Sequence, residues 1–134
     1  MMFFRVSVIA VAALLAAAPA QAQTWELAGS TDDTDTYVDT SSVLLAGGQR
    51  IKFWYELRFL KPHRYPSGRL ADTFVNYVEA DCTEMSYSIL QQSSTYQGRT
   101  VLTPWAPNTG THYARPGSVA HGLVSAACRA APWA

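Results

Sequence analysis

The chain has 134 residues, 49% of them apolar and 15% charged, with two cysteines and a formal net charge of zero. This is enough for one domain with a packed core. It excludes a disordered tail, a collagen-like repeat and a cysteine-framework miniprotein, and the absence of a basic excess argues against nucleic-acid binding.

The first 22 residues are read as a removable segment. Arg5 supplies a positive start, Val6 to Ala18 is an apolar run interrupted only by Ser7, and Pro19 ends it. Ala20-Gln21-Ala22 then offers a small-x-small cleavage site, completing the pattern of a secretory signal peptide. The run is shorter than the roughly 18 apolar residues normally needed to span a bilayer. No cysteine follows it, so no lipid attachment of the lipoprotein kind is expected. The mature domain is taken as residues 23–134, with nine Lys/Arg against ten Asp/Glu and no later membrane-spanning segment.

Cys82 and Cys128 both lie in this domain. Export places them in an oxidising compartment, where two cysteines allow one intramolecular pairing. No C-x-x-C motif or ligand-spaced histidine pair supports a redox or metal role instead, so a structural disulfide is expected.

Along the domain, Gln23–Ser30 reads as a strand, Thr31–Asp35 as a polar turn, and Thr36–Asp39 as renewed extended chain. Ser41–Leu45 is a short apolar piece closed by Gly47-Gly48. Arg50–Leu60 shows strict alternation. Ile51, Phe53, Tyr55, Leu57 and Phe59 share one parity, expected to face the core, and Arg50, Lys52, Trp54, Glu56 and Arg58 share the other. Lys61–Gly68, with two prolines and a glycine, is predicted to be a loop. Thr73–Cys82 is a second long strand, with Phe74, Asn76, Val78, Ala80 and Cys82 on one face and Val75 and Tyr77 on the other. Glu84–Leu90 and Thr100–Trp105 are further strands, and Pro104 confines the latter to an edge or an end. Pro107–Tyr113 is a polar loop. After Pro116-Gly117, Ser118 is placed as the N-cap of an amphipathic helix of about three turns. Its apolar arc comprises Val119, Ala120, Leu123, Val124, Ala126 and Ala127.

Several motifs combine in a recognisable order. Trp25 near the domain start precedes Tyr37-Val38-Asp39, then Phe53-Trp54 within the alternating strand, then Asp81-Cys82 at the end of an aromatic strand. Tyr96 with Gly98, Pro104-Trp105 and a C-terminal helix bearing Cys128 follow. This ordered set resembles the bacterial surface-adhesin protein E family across nearly the whole mature domain. The resemblance implies an α+β fold: one antiparallel sheet of about six strands, with the C-terminal helix tied to it by a disulfide. The founding adhesin binds host extracellular-matrix and plasma proteins and self-associates. The resemblance therefore implies an exported, non-catalytic binding protein of the periplasm or cell surface, able to form homo-oligomers. The alternative is a periplasmic structural or envelope-maintenance protein without a host ligand.

No other constellation rises to this level. Asp32, Asp33, Asp35 and Asp39 lack the Gly and Glu of a calcium loop and read as turn residues, with Asp39 a turn or cap residue. His63, His112 and His121 are too dispersed for a metal site, and no G-x-S-x-G or Walker sequence is present. No catalysis, metal or cofactor is expected. Six of the nine basic residues of the domain fall between Arg50 and Arg69. Arg50, Lys52, Trp54, Arg58, Lys61, Arg64 and Tyr65 are taken as a docking surface for an acidic protein or a sulfated polysaccharide. The plainer reading is a solvated strand face that also discourages edge pairing.

The signal-peptide assignment sets a first test. Exported protein is expected to begin at Gln23 on N-terminal sequencing; envelope material that retains Met1 would refute cleavage after Ala22.

Overall fold

The computed structural model describes residues 23–107 and 109–133; the signal segment assigned to residues 1–22 lies outside them. Eight strands and one helix follow in the order β1 (Trp25–Ser30), β2 (Thr34–Asp39), β3 (Leu44–Gly47), β4 (Arg50–Arg64), β5 (Leu70–Asp81), β6 (Ser86–Tyr96), β7 (Arg99–Trp105), β8 (His112–Tyr113) and α1 (Val119–Ala130). All pairings are antiparallel, and the main path is β1-β2-β4-β5-β6-β7. The short β3 adds to β4 and β8 to β6. The sheet curls into a half-barrel, with α1 on one face.

β4 organises the sheet because its alternation is real on both sides. Ile51 and Phe53 are fully buried and Tyr55 nearly so, with Leu57 packed against the same core. Their register partners Ala80, Val78, Asn76 and Phe74 on β5 extend that inner face. The other parity, Lys52, Trp54, Glu56 and Arg58, lies on the helix-free face opposite Glu79, Tyr77, Val75 and Thr73. Two strands share the other edge of β4: β3 pairs at Arg50–Lys52 and β2 at Tyr55–Phe59. The chain crosses between them in a 3₁₀ turn at Thr40–Ser42. There Ser42 Oγ accepts from Trp54 N at 2.9 Å, supplying the partner that neither strand provides. Asp39, nearly fully buried, caps the turn as expected: its Oδ1 accepts from Ser41 N (3.1 Å), Ser41 Oγ (2.6 Å) and Thr24 N (3.1 Å).

The sequence reading of Lys61–Gly68 as a loop needs correction. β4 continues to Arg64, and the turn is confined to Tyr65–Arg69, where Tyr65 N donates to Arg69 O and Gly68 N to Tyr65 O. Pro62 is accommodated because the β4–β5 register breaks between Arg58 and His63, so its missing N–H interrupts no ladder bond. The strand expected over Glu84–Leu90 instead runs from Ser86 to Tyr96, with Glu84 in the turn before it. It continues into β7 through Gln97 (φ 51°) and Gly98 (φ 78°), the paired left-handed residues of a tight hairpin turn.

α1 forms where expected. Ser118 Oγ accepts from His121 N at 3.2 Å, and Leu123, Val124, Ala126 and Ala127 are buried. Helix and β1 touch backbone to backbone: a Cβ at Gly122 would lie 2.6 Å from the Ala28 carbonyl oxygen. Only glycine permits that approach. The Cys82–Cys128 disulfide joins the chain just beyond β5 to the last turn of α1, with a Cα–Cα distance of 5.9 Å. Across a separation of 46 residues, the chain-entropy model gives it roughly 4 kcal/mol of stabilisation.

The core carries a few polar side chains. Asn76 and Ser94 are fully buried with no hydrogen-bond partner within the described protein for the Asn76 amide or the Ser94 hydroxyl. Tyr55 is held neutral: burial pushes its phenol well above the ordinary value of 10.0, and Tyr87 beside it acts in the same direction.

Two outcomes follow from this packing. Gly122→Ala is expected to lower stability by about 1–2 kcal/mol in urea unfolding, although alanine favours helices by about 1 kcal/mol, because the added methyl must displace backbone. For Tyr55, the unfolded chain releases the phenol proton near the ordinary value whereas the folded chain retains it. The residue's contribution is therefore complete below about pH 10 and is lost as pH rises above it. Alkaline titration monitored by circular dichroism should show a shallower stability loss for Tyr55→Phe than for the parent.

Candidate functional site

The helix-free face of the sheet gathers an aromatic cluster from four strands. Trp54 on β4 and Tyr77 on β5 are register partners whose rings lie 4.7 Å apart. Tyr37 on β2 and Trp25 on β1 flank Arg58, whose guanidinium carbon stands 4.0 Å from the Tyr37 ring centroid and 5.6 Å from that of Trp25. Arg58 Nε also donates to Glu56 Oε2 at 2.9 Å, so the cation is held by a carboxylate and two π-faces. Trp25, Trp54, Glu56, Val75 and Gln23 line an open cleft of about 240 Å³. Leu27 and Leu44, register partners of Tyr37 and Lys52 and more than half exposed, extend the apolar area on the same face.

The sequence-proposed docking residues divide between three places. Arg50, Lys52, Trp54 and Arg58 share the helix-free face. Two of these cations are ion-paired there, Arg50 with Glu79 at 3.6 Å and Arg58 with Glu56, and Lys52 stands opposite Glu79 in register. Lys61 and Arg64 are exposed on the far stretch of β4, Lys61 within the register break and Arg64 beyond it. Tyr65 turns away: its ring stacks on Phe74 at a 6.3 Å centroid distance, its hydroxyl is buried, and His63 meets it edge-on at 4.9 Å. The strand alternation did not reveal Trp25, Tyr37 and Tyr77 as members of this surface. The signal available was their aromatic character on neighbouring strands, but strand order decides that they converge.

The acidic turn is occupied by its own hydrogen bonds. Asp33 Oδ1 accepts from the Thr31 and Thr34 hydroxyls, and Asp35 Oδ1 from Ser30 Oγ. His112 stacks on Tyr87, and His121 lies in the first turn of α1. Among the described residues, no group of three or more His, Cys, Asp or Glu could hold a metal ion.

The comparison that decides kinship is the family profile of surface-adhesin protein E, which matches residues 25–129. This chain belongs to that family. The match runs from the first residue of β1 to within one residue of the end of α1. Solved structures of Haemophilus influenzae protein E share the fold. Protein E from a non-typeable strain is 17% identical, covering 84% of this chain and 82% of its own, with a TM-score of 0.54. Crystal form II of the protein is 14% identical, covering 81% and 96%, with a TM-score of 0.55. No curated protein matches the sequence. As in the family expectation, the sheet is antiparallel, with a C-terminal helix disulfide-tied to it. Its strand count is eight when β3 and β8 are added to the six-strand path. Among the described residues, no helix is long and apolar enough to cross a membrane.

Proposed function

We propose that this family member is an exported, non-catalytic binding protein that docks a protein partner on the helix-free face of its sheet. The observation that carries the reading is the arrangement of Arg58 between Tyr37 and Trp25, beside the Trp54–Tyr77 pair. Tryptophan, tyrosine and arginine dominate the energetic centres of protein interfaces, where they bury large areas while keeping a polar handle. α1 covers the opposite face, so the aromatic surface needs no part of the described chain to complete the core. Family membership suggests a host extracellular-matrix or plasma protein as the partner. Arg50, paired with Glu79, and Lys52 serve as a polar rim, and Lys61 and Arg64 lie at its far margin. Such rim charges tune association rate and salt dependence more than affinity.

The test is capture of matrix or plasma protein by the immobilised mature domain, compared across folded variants. Trp54→Ala is expected to weaken binding at least tenfold, equivalent to about 1.4 kcal/mol. Arg58→Glu with Lys61→Glu should also weaken it. Unchanged capture by both variants, with native circular dichroism, would place the partner elsewhere.

A further inference from the structure

The β4–β5 and β6–β7 turns stand side by side at one end of the sheet and are bonded to each other. Arg69 Nη1 donates to Val101 O at 3.1 Å, across 32 positions of sequence. Asp72 Oδ2 accepts from Gln97 N at 2.8 Å, across 25 positions. Between the turns lies an open cleft of about 700 Å³, lined in part by Arg69, Leu70, Tyr96, Gln97, Arg99 and Val101. That volume is within the usual range of small-ligand sites.

The arginines lining this cleft lack the ion pairs that Arg50 and Arg58 make on the helix-free face. The ion pairs among the described residues are Arg50–Glu79 and Arg58–Glu56, so Arg69 and Arg99 have none. The neighbouring carboxylate, Asp72, is already accepting from Gln97 N and, at 3.1 Å, from the Thr73 hydroxyl. Arg64, also without an ion pair, sits at the end of β4 with its guanidinium bonded to Gly68 O. Arg69 is fixed by its bond to Val101, which lowers the entropy lost when it takes a ligand.

We propose that this cleft binds a sulfated glycan. Guanidinium groups present paired N–H donors that match the oxygens of an oxyanion. Arg69 and Arg99 take the sulfate groups, while Tyr96 and Gln97 offer a ring face and an amide to the sugar. The lining favours a glycan over an acidic protein, because Leu70 and Val101 are its apolar side chains and a protein interface needs an apolar centre. It also disfavours nucleic acid: a polyphosphate needs a longer basic track, and the chain has no net positive charge. This site is separate from the aromatic face and does not depend on that face binding a protein.

The proposal is tested by calorimetric titration of the exported protein with a heparin hexasaccharide. Binding is expected to weaken as salt rises and to be lost with the desulfated sugar. Arg99→Glu should reduce affinity at least tenfold, as should Arg69→Ala. Arg69→Lys, which keeps the charge but not the fork, should bind with intermediate affinity. Arg129→Ala, on the exposed last turn of the helix, should bind like the parent. Equal affinity of the folded Arg99→Glu variant would overturn the proposal, as would undiminished binding of the desulfated sugar. Competition by polyglutamate or oligo-dT at the strength of heparin would also overturn it, leaving a non-specific anion surface.

Discussion

The whole arrangement hangs on the two-sided character of β4. Its fifteen residues pair with β2 and β3 along one edge and β5 along the other. Because successive side chains point to opposite faces, a slip of one residue would bury Lys52, Glu56 and Arg58 and expose Ile51, Phe53 and Tyr55. Burying unpaired charges is too costly for that register to compete. Once β4 is fixed, its partners on β5 and β2 have their faces fixed by pairing. The dry face receives the helix, and the other is left for aromatic and charged side chains.

The helix is attached by close fit as well as by apolar burial. A twelve-residue helix is marginal alone in water and gains its stability from tertiary packing. Here Gly122 brings its backbone against Ala28, and the buried Ala126 and Ala127 keep the contact face low. The disulfide secures the opposite end of the helix to the chain leaving β5. The helix is thus anchored at the β1 side by shape and at the β5 side by a covalent bond, and it has little freedom to leave the core and uncover it.

Charge is distributed by the same geometry. On the helix-free face, Arg58 pairs with Glu56 two residues before it on β4, and Arg50 pairs with Glu79 across the β4–β5 ladder, so each of these two cations has a carboxylate partner. At the hairpin tips, Arg69 and Arg99 have no ion pair among the described residues, and Asp72 accepts from Gln97 N, joining the two turns. A chain with no net charge therefore still has a basic cleft at one end and an aromatic surface on one face. These are different surface chemistries on one small domain.

The sequence by itself determined the local features. The alternation from Arg50 to Phe59 fixed which side of β4 is dry, Ser118 and the apolar arc fixed the helix, and two cysteines left one intramolecular pairing. The ordered motifs identified the family. Those signals are short-range or compositional and survive without knowledge of neighbours. Tertiary structure decided what depends on which strands lie side by side. Pro62 sits within a strand because a register break absorbs it, Tyr65 turns inward because Phe74 offers its ring a surface, and the arginines divide between an ion-paired face and an open cleft. Trp25, Tyr37 and Arg58, far apart in sequence, meet because β1, β2 and β4 are adjacent. Pairing between distant segments is a property of the assembled sheet, and no local pattern in the chain encodes which charges it will bring together.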